Sequence, residues 1–404
     1  MKALYIDVNV SYMNPTASLM PALIAEIAPD SDFYGPGFVS EEALERGLLR
    51  WIDESGPYDA VFVGPWCPVF VDDINEPADR LVAFLQRSVA KDFKLRCVDG
   101  FIKDIKTNIG KAQAPVKLVS TLSFDYYAAT QEQIDRLLAQ GLTVVGPNHQ
   151  FIQPLSELPA FAQQEKHYIK KANRLSDAWY DFAVSQPERF ITALHYIAHN
   201  EFSYLPLSDR RYDSSIPGID YYLRKQASEK LSRSSFKLAP KHYFNFFRLA
   251  NKLGAPVYSK HIPLKLFNEL FHRSLGSTKF VYTAKGGFGM PIRKFFEIPA
   301  AGAVLLCTPC IGYGDAGFRH GEHYLETAPE ELPDRLAQLI HDPHAQQIAN
   351  AGRKLVAAQH SLAARAKQIR MCIEAILAKQ YMGSTWSDGQ FLIHRKRSEK
   401  ICAA

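Results

Sequence analysis

The 404-residue chain has no apolar run long enough to cross a bilayer. Its first residues, Met1-Lys-Ala-Leu-Tyr-Ile-Asp7, read directly into a strand rather than a leader, so a cytoplasmic location is expected. Net charge is small: 47 Lys and Arg against 42 Asp and Glu leave +5. That is too mild for a nucleic-acid partner, though it suits a small anionic ligand or peripheral contact with anionic lipid. Cysteine is scarce and scattered (Cys67, Cys97, Cys307, Cys310, Cys372 and Cys402), which excludes a disulfide scaffold and indicates reduced thiols. Cys307-Thr-Pro-Cys310 has no second pair to complete a zinc site, and His195 and His199, at i and i+4, have no Glu in an H-E-x-x-H arrangement. No repeat or low-complexity stretch is present, so solenoids and disordered arrays are excluded too.

What is present is an ordinary globular composition, 47% hydrophobic and 22% charged, at a length suited to two domains. The most structured stretch runs from Phe280 to Glu322. A β-rich run, Lys279–Ala284, enters a turn with Gly286, Gly287 and Gly289. Arg293 and Lys294 then open a helical segment that Gly302 ends, and Ala303–Cys307 is an apolar strand followed by a second glycine-rich loop. Strand, loop, helix, strand is βαβ grammar, in which ligands sit beyond the carboxyl ends of parallel strands. Glycines let a phosphate approach main-chain N–H groups, Arg293 and Lys294 add full charges, and Glu297 lies on the side of the helix that Lys294 occupies. By residue type alone, Arg293, Lys294 and Glu297 equally fit an ion-paired, solvated helix face.

The segment Arg293-Lys-Phe-Phe-Glu297-Ile-Pro-Ala-Ala-Gly302, its apolar strand and then Gly317-Phe-Arg-His-Gly321-Glu322 resemble the donor half of group-1-like glycosyltransferases, with the CgeB, spore-maturation-like branch nearest. The ending is similar as well, through Glu331-Leu332, Ala351-Gly352-Arg353, His360 and Arg365. The resemblance covers about the last third of the chain. It implies an α/β GT-B fold, two Rossmann-like domains with parallel sheets facing a central cleft: residues 1–205 on the acceptor side, 206–375 binding the nucleotide-sugar donor, and 376–404 crossing back to the first domain. It implies that Glu297 holds the donor ribose and that Lys294 and Arg293 neutralise its phosphates. In many retaining relatives a second Glu stands eight residues earlier, where this chain has Gly289.

Elsewhere, Gly218 and Arg224 sit at a turn and the helix after it, which adds them to the donor-binding candidates. On the acceptor side, Asp125, delivered by the strand Val116–Leu122, and His149, in the loop after Leu142–Val145, are the catalytic candidates; capping and ordinary structural roles fit them as well. The pattern also predicts a strand over Lys94–Val98, helices over Asn75–Val89 and Gln131–Gln140, a largely helical Leu155–His199, and a strand over Pro256–Ser259. Trp66 fits sugar stacking or core closure.

The implied partners are a nucleotide-sugar and a saccharide or lipid-linked saccharide acceptor, in surface polysaccharide synthesis. No cofactor or metal is required by that scheme. Gly289 leaves open a CMP-linked acidic sugar such as Kdo as donor, and a non-catalytic nucleotide-sugar-binding scaffold is the third reading. The basic cluster His394-Arg395-Lys396-Arg397 is either a solvated tail or a contact with the inner face of a membrane.

Overall fold

The computed structural model describes residues 1–9, 15–65, 67, 95–120, 127, 129–160, 175–218, 222–253, 261–286 and 288–396. Asp125, Trp66, Gly287 and the elements expected over Asn75–Val89 and Pro256–Ser259 lie outside them.

Two parallel sheets form the frame. The first contains β1 (Lys2–Ile6), β2 (Asp30–Tyr34), β3 (Ala60–Val63), β4 (Val116–Ser120), β5 (Leu142–Gly146) and β6 (Phe190–Thr192), in the order β2-β1-β3-β4-β5-β6. The second contains β7 (Tyr212–Ser215), β8 (Thr278–Thr283), β9 (Val304–Cys307) and β10 (Leu325–Glu326), in the order β10-β9-β8-β7. Every pairing within both sheets is parallel. Central strands β3 and β9 are buried at every residue, as strands covered by helices on both faces must be.

The two sheets present their carboxyl ends to each other. Tyr127, beyond β4, stacks on Phe288, beyond β8, with ring centroids 4.7 Å apart. The loop after β9 meets the loop after β5, where a Cβ on Gly312 would lie 2.5 Å from the carbonyl oxygen of Gln150. This is the GT-B arrangement expected from the sequence, and it brings the loops that carry chemistry in both sheets to one place.

The chain crosses back at His360–Leu362, where Ile197 N–H donates to the His360 carbonyl and Leu362 N–H to the Ile197 carbonyl, at 3.0 and 2.9 Å. Helix Leu362–Leu377 then lies on helix Pro15–Ile27, and Ala366, Ile369 and Ile373 share a core with Ala3, Tyr5 and Ile24. The antiparallel hairpin of β11 (Tyr381–Ser387) and β12 (Gln390–Arg395) docks on β6: Thr192 N–H donates to Ser384 Oγ at 2.9 Å. Among the described residues, no helix is long and apolar enough to span a membrane.

Two expectations are corrected. The strand expected over Lys94–Val98 is the start of a helix, Leu95–Asn108, because Val98, Phe101, Ile102 and Ile105 repeat at helical spacing and bury one face. The described part of Leu155–His199, residues 155–160 and 175–199, is not largely helical: it holds one α-helix, Ala178–Ser185, short 3-10 turns at Leu155–Glu157 and Pro187–Arg189, and the edge strand β6, whose pairing with β5 overrides local propensity. His195 and His199 therefore never share a helix face.

Candidate functional site

The site grows from the helix Lys294–Ala300, which follows the glycine turn after β8. Phe295 through Ala300 are all buried, so this is not a solvated helix face. The helix Ala345–Gln359 lies so close that a Cβ on Gly352 would stand 3.3 Å from Pro299 Cβ and 2.7 Å from the His323 carbonyl oxygen.

Three charged side chains at its start form a buried chain of ion pairs. Arg293 donates through Nη2 to both carboxylate oxygens of Glu201, 2.6 Å each, and through Nη1 to Glu297. Lys294 Nζ lies 3.6 Å from Glu297 Oε2 and 4.7 Å from the centre of the Phe271 ring. His272 Nε2 is 3.2 Å from Glu201 Oε1. Glu201 comes from the connection between the sheets, and its other hydrogen bond accepts the Ala198 N–H at 2.7 Å.

Gly218, just past β7, has φ +86, and a Cβ there would lie 3.0 Å from Lys294 Cε and 3.2 Å from Arg224 Nη2. The two cations thus meet over a backbone that only glycine leaves open. Arg224 is fully buried and donates to the Pro217 carbonyl.

The electrostatics follow from burial. Desolvation lowers the Lys294 pKa, and neighbouring Arg224 and Arg293 lower it further against the pull of Glu297. Burial opposes ionisation of Glu201, but the hydrogen bond from His272 and the charge and hydrogen bonds of Arg293 outweigh it and hold its pKa down at about 2. Glu297 also stays below the usual carboxylate range, because Arg293 and Lys294 overcome its desolvation. Among the described residues, the cations Arg224, Arg293 and Lys294 gather with the carboxylates Glu201 and Glu297. Like charges at close range in a poorly hydrated place are costly to hold, and an anion relieves that cost.

Five of the seven candidates, Gly218, Arg224, Arg293, Lys294 and Glu297, therefore come together. His149 is placed elsewhere: it sits in the loop after β5 with Nδ1 3.3 Å from the Ala183 carbonyl oxygen. The same loop is tied to the C-terminal hairpin, since Asn148 Nδ2 donates to the Ser384 carbonyl at 3.2 Å. Glu201, Phe271 and His272 were not anticipated; Glu201 is 92 residues from Arg293 and carries no local motif.

At Gly289 the backbone has φ +70, and a Cβ would lie 2.7 Å from Ile311 Cδ1 and 3.4 Å from Gln153 Oε1. Ile311 occupies the space that a carboxylate side chain would need there. A surface groove of ≈ 590 Å³, lined in part by Tyr204, Leu207, Lys279 and Arg353, lies instead at the amino end of β8 and contains none of the seven candidates. Ligands of parallel sheets bind at the opposite ends of the strands.

Residues 225–371 match the family model described as Glycosyl transferase-like. No curated protein matches the chain in sequence. Among solved structures the chain is similar to Anabaena HepE in complex with UDP and glucose, at 11% identity and TM-score 0.45, over 93% of this chain and 99% of that one. It is similar also to sucrose-phosphate synthase from Thermosynechococcus elongatus, at 10% identity and TM-score 0.47, over 94% and 100% of the two chains. For T4 phage BGT in complex with its UDP-glucose substrate the values are 12% and 0.47, over 93% and 100%.

Proposed function

We propose that the chain is a glycosyltransferase of the CgeB-like branch. It moves a sugar from a nucleotide-sugar to a saccharide or glycolipid acceptor in surface polysaccharide synthesis, in the cytoplasm. Residues 206–375 bind the donor and residues 1–205 the acceptor, with 376–404 completing the acceptor side. Arg224 and Lys294, with Arg293 behind them, neutralise the donor phosphates. Glu297, held ionised by Arg293, accepts from the ribose hydroxyls. As the bond between the sugar and the phosphate oxygen breaks, charge builds on the leaving phosphate, and fixed cations in a poorly hydrated site stabilise it. Asp125 or His149 takes the proton of the attacking acceptor hydroxyl.

The observation that carries this reading is the convergence of Arg224 and Lys294 over Gly218. The family match over 225–371 supports it. Incubation with nucleotide-sugars and saccharide acceptors, followed by nucleotide release, tests it. The wild type should consume one donor, and Arg224→Gln or Lys294→Ala should slow turnover about 10²–10³-fold, the usual cost of losing one charge-stabilising donor. If no nucleotide-sugar is consumed, the scaffold reading takes its place. Release of CMP rather than a nucleoside diphosphate identifies the acidic-sugar reading, which the apolar Ile311 beside Gly289 specifically favours because no carboxylate there would repel an acidic sugar.

A further inference from the structure

We propose that the helical pair His242–Lys252 and His261–Gly276 docks the protein on an anionic lipid bilayer. The inner face of the first helix is already satisfied: Phe267 of the second packs against Tyr243 and Phe247, with ring centroids 5.9 and 5.2 Å away. Among the described residues, the outer face of the first is exposed. Phe246, Leu249 and Leu253 stand at i, i+3 and i+7 and are 65%, 57% and 77% exposed, and Leu266 on the second helix is 49% exposed. Apolar side chains this large, aligned on one helical stripe and open to water, call for a covering surface.

Charge selects which surface. Between Lys241 and Arg273 the sequence has six Lys and Arg (Lys241, Arg248, Lys252, Lys260, Lys265 and Arg273) and one acidic residue, Glu269, a net of +5. That equals the net charge of the whole chain, so the remainder balances to zero. Lys265 and Arg273 are exposed. An apolar stripe flanked by concentrated basic charge is the pattern by which a helix lies in the headgroup region of an anionic membrane. The same second helix carries Phe271 under Lys294 and His272 against Glu201, so docking would hold the charged cluster close to the lipid surface.

Vesicle flotation of the full chain tests this, with phosphatidylcholine vesicles and vesicles rich in phosphatidylglycerol. The wild type should float with the second and not with the first, and raised salt should release it. The Phe246→Ser, Leu249→Ser, Leu253→Ser triple variant should lose at least about tenfold in partitioning, since its lost apolar groups are those buried in the interface. Lys265→Glu with Arg273→Glu should lose a similar amount, and Leu253→Ser alone, at the most exposed position, gives a smaller loss that does not risk the fold. Replacing His394–Arg397 with serine should leave binding intact. Absence of flotation with phosphatidylglycerol at low salt overturns the proposal, as does a triple variant that floats like the wild type or loss of binding in the tail variant alone. A dimer that the triple variant disperses would show that the stripe binds a second copy instead.

Discussion

His360 is stacked between Phe318 and Trp386, 5.5 and 4.8 Å from their centroids. Its Nε2 lies 2.9 Å from the Ala316 carbonyl oxygen and its Nδ1 3.3 Å from Arg365 Nη2, which fixes the neutral tautomer with the proton on Nε2. Burial and then the Arg365 charge lower its pKa to about 3, and burial with Arg293 lowers that of His195 to about 4. Both values lie below the ordinary 6.5, so in acid the unfolded chain binds protons that the folded chain refuses. Stability should fall as pH drops below 6.5 toward 4, by about 1.4 kcal/mol per pH unit for each histidine. Urea unfolding across that range should show the slope, and His360→Phe should remove one proton's share of it; an unchanged slope would contradict the assignment. Glu201 adds a loss of the same sign at lower pH. Its folded pKa near 2 lies below the ordinary 4.5, so its contribution is complete above 4.5 and is lost as pH falls through 2. Glu201→Ala, which leaves Arg293 buried and half-compensated, should cost about 3–5 kcal/mol in chemical denaturation.

Helices set the next scale, and two glycines within them separate packing from propensity. Gly352 lies where the helix Ala345–Gln359 crosses the site helix, and any side chain meets the His323 carbonyl. Gly100, in the helix Leu95–Asn108, is exposed, and a Cβ there would touch nothing within 4 Å. Gly352→Val should therefore destabilise by about 1–3 kcal/mol through overpacking, while Gly100→Ala should stabilise by about 0.4–1 kcal/mol through reduced freedom of the unfolded chain. Thermal denaturation of the two variants should move in opposite directions; shifts of the same sign would show that the helix crossing is looser than described. What was legible at this scale was local. Val304–Cys307 and Gln131–Ala139 follow from apolar runs and helical periodicity, and the glycine turn leading to Lys294 and Glu297 follows from its motif. The strand misread over Lys94–Val98 came from too short a window, since the period of that segment shows only when Ile102 and Ile105 are included. Glu201 and His272 were not legible, because their meaning depends on a contact made across the fold.

The whole molecule is held by segments that return. The helix Leu362–Leu377 and the final hairpin complete the first sheet's core, and through Ser384 and Trp386 they hold the loop carrying Asn148, His149 and Gln150. Two parallel sheets facing a cleft were implied by the resemblance; the stack of Tyr127 on Phe288 between them was not legible, since a ring contact across the cleft leaves no periodic signal. That facing puts the cation cluster of the second sheet beside the loops of the first, as the proposed transfer between two bound substrates requires. The most direct test is the change in melting temperature with UDP, GDP, ADP and CMP for the wild type, Lys294→Ala and Arg224→Gln. One nucleotide should raise the melting point of the wild type, a stabilisation of about 2.7 kcal/mol at a hundredfold excess over Kd, and both variants should lose that response. A wild type indifferent to all four, or variants that respond as it does, would contradict a donor phosphate site at Gly218, Arg224 and Lys294.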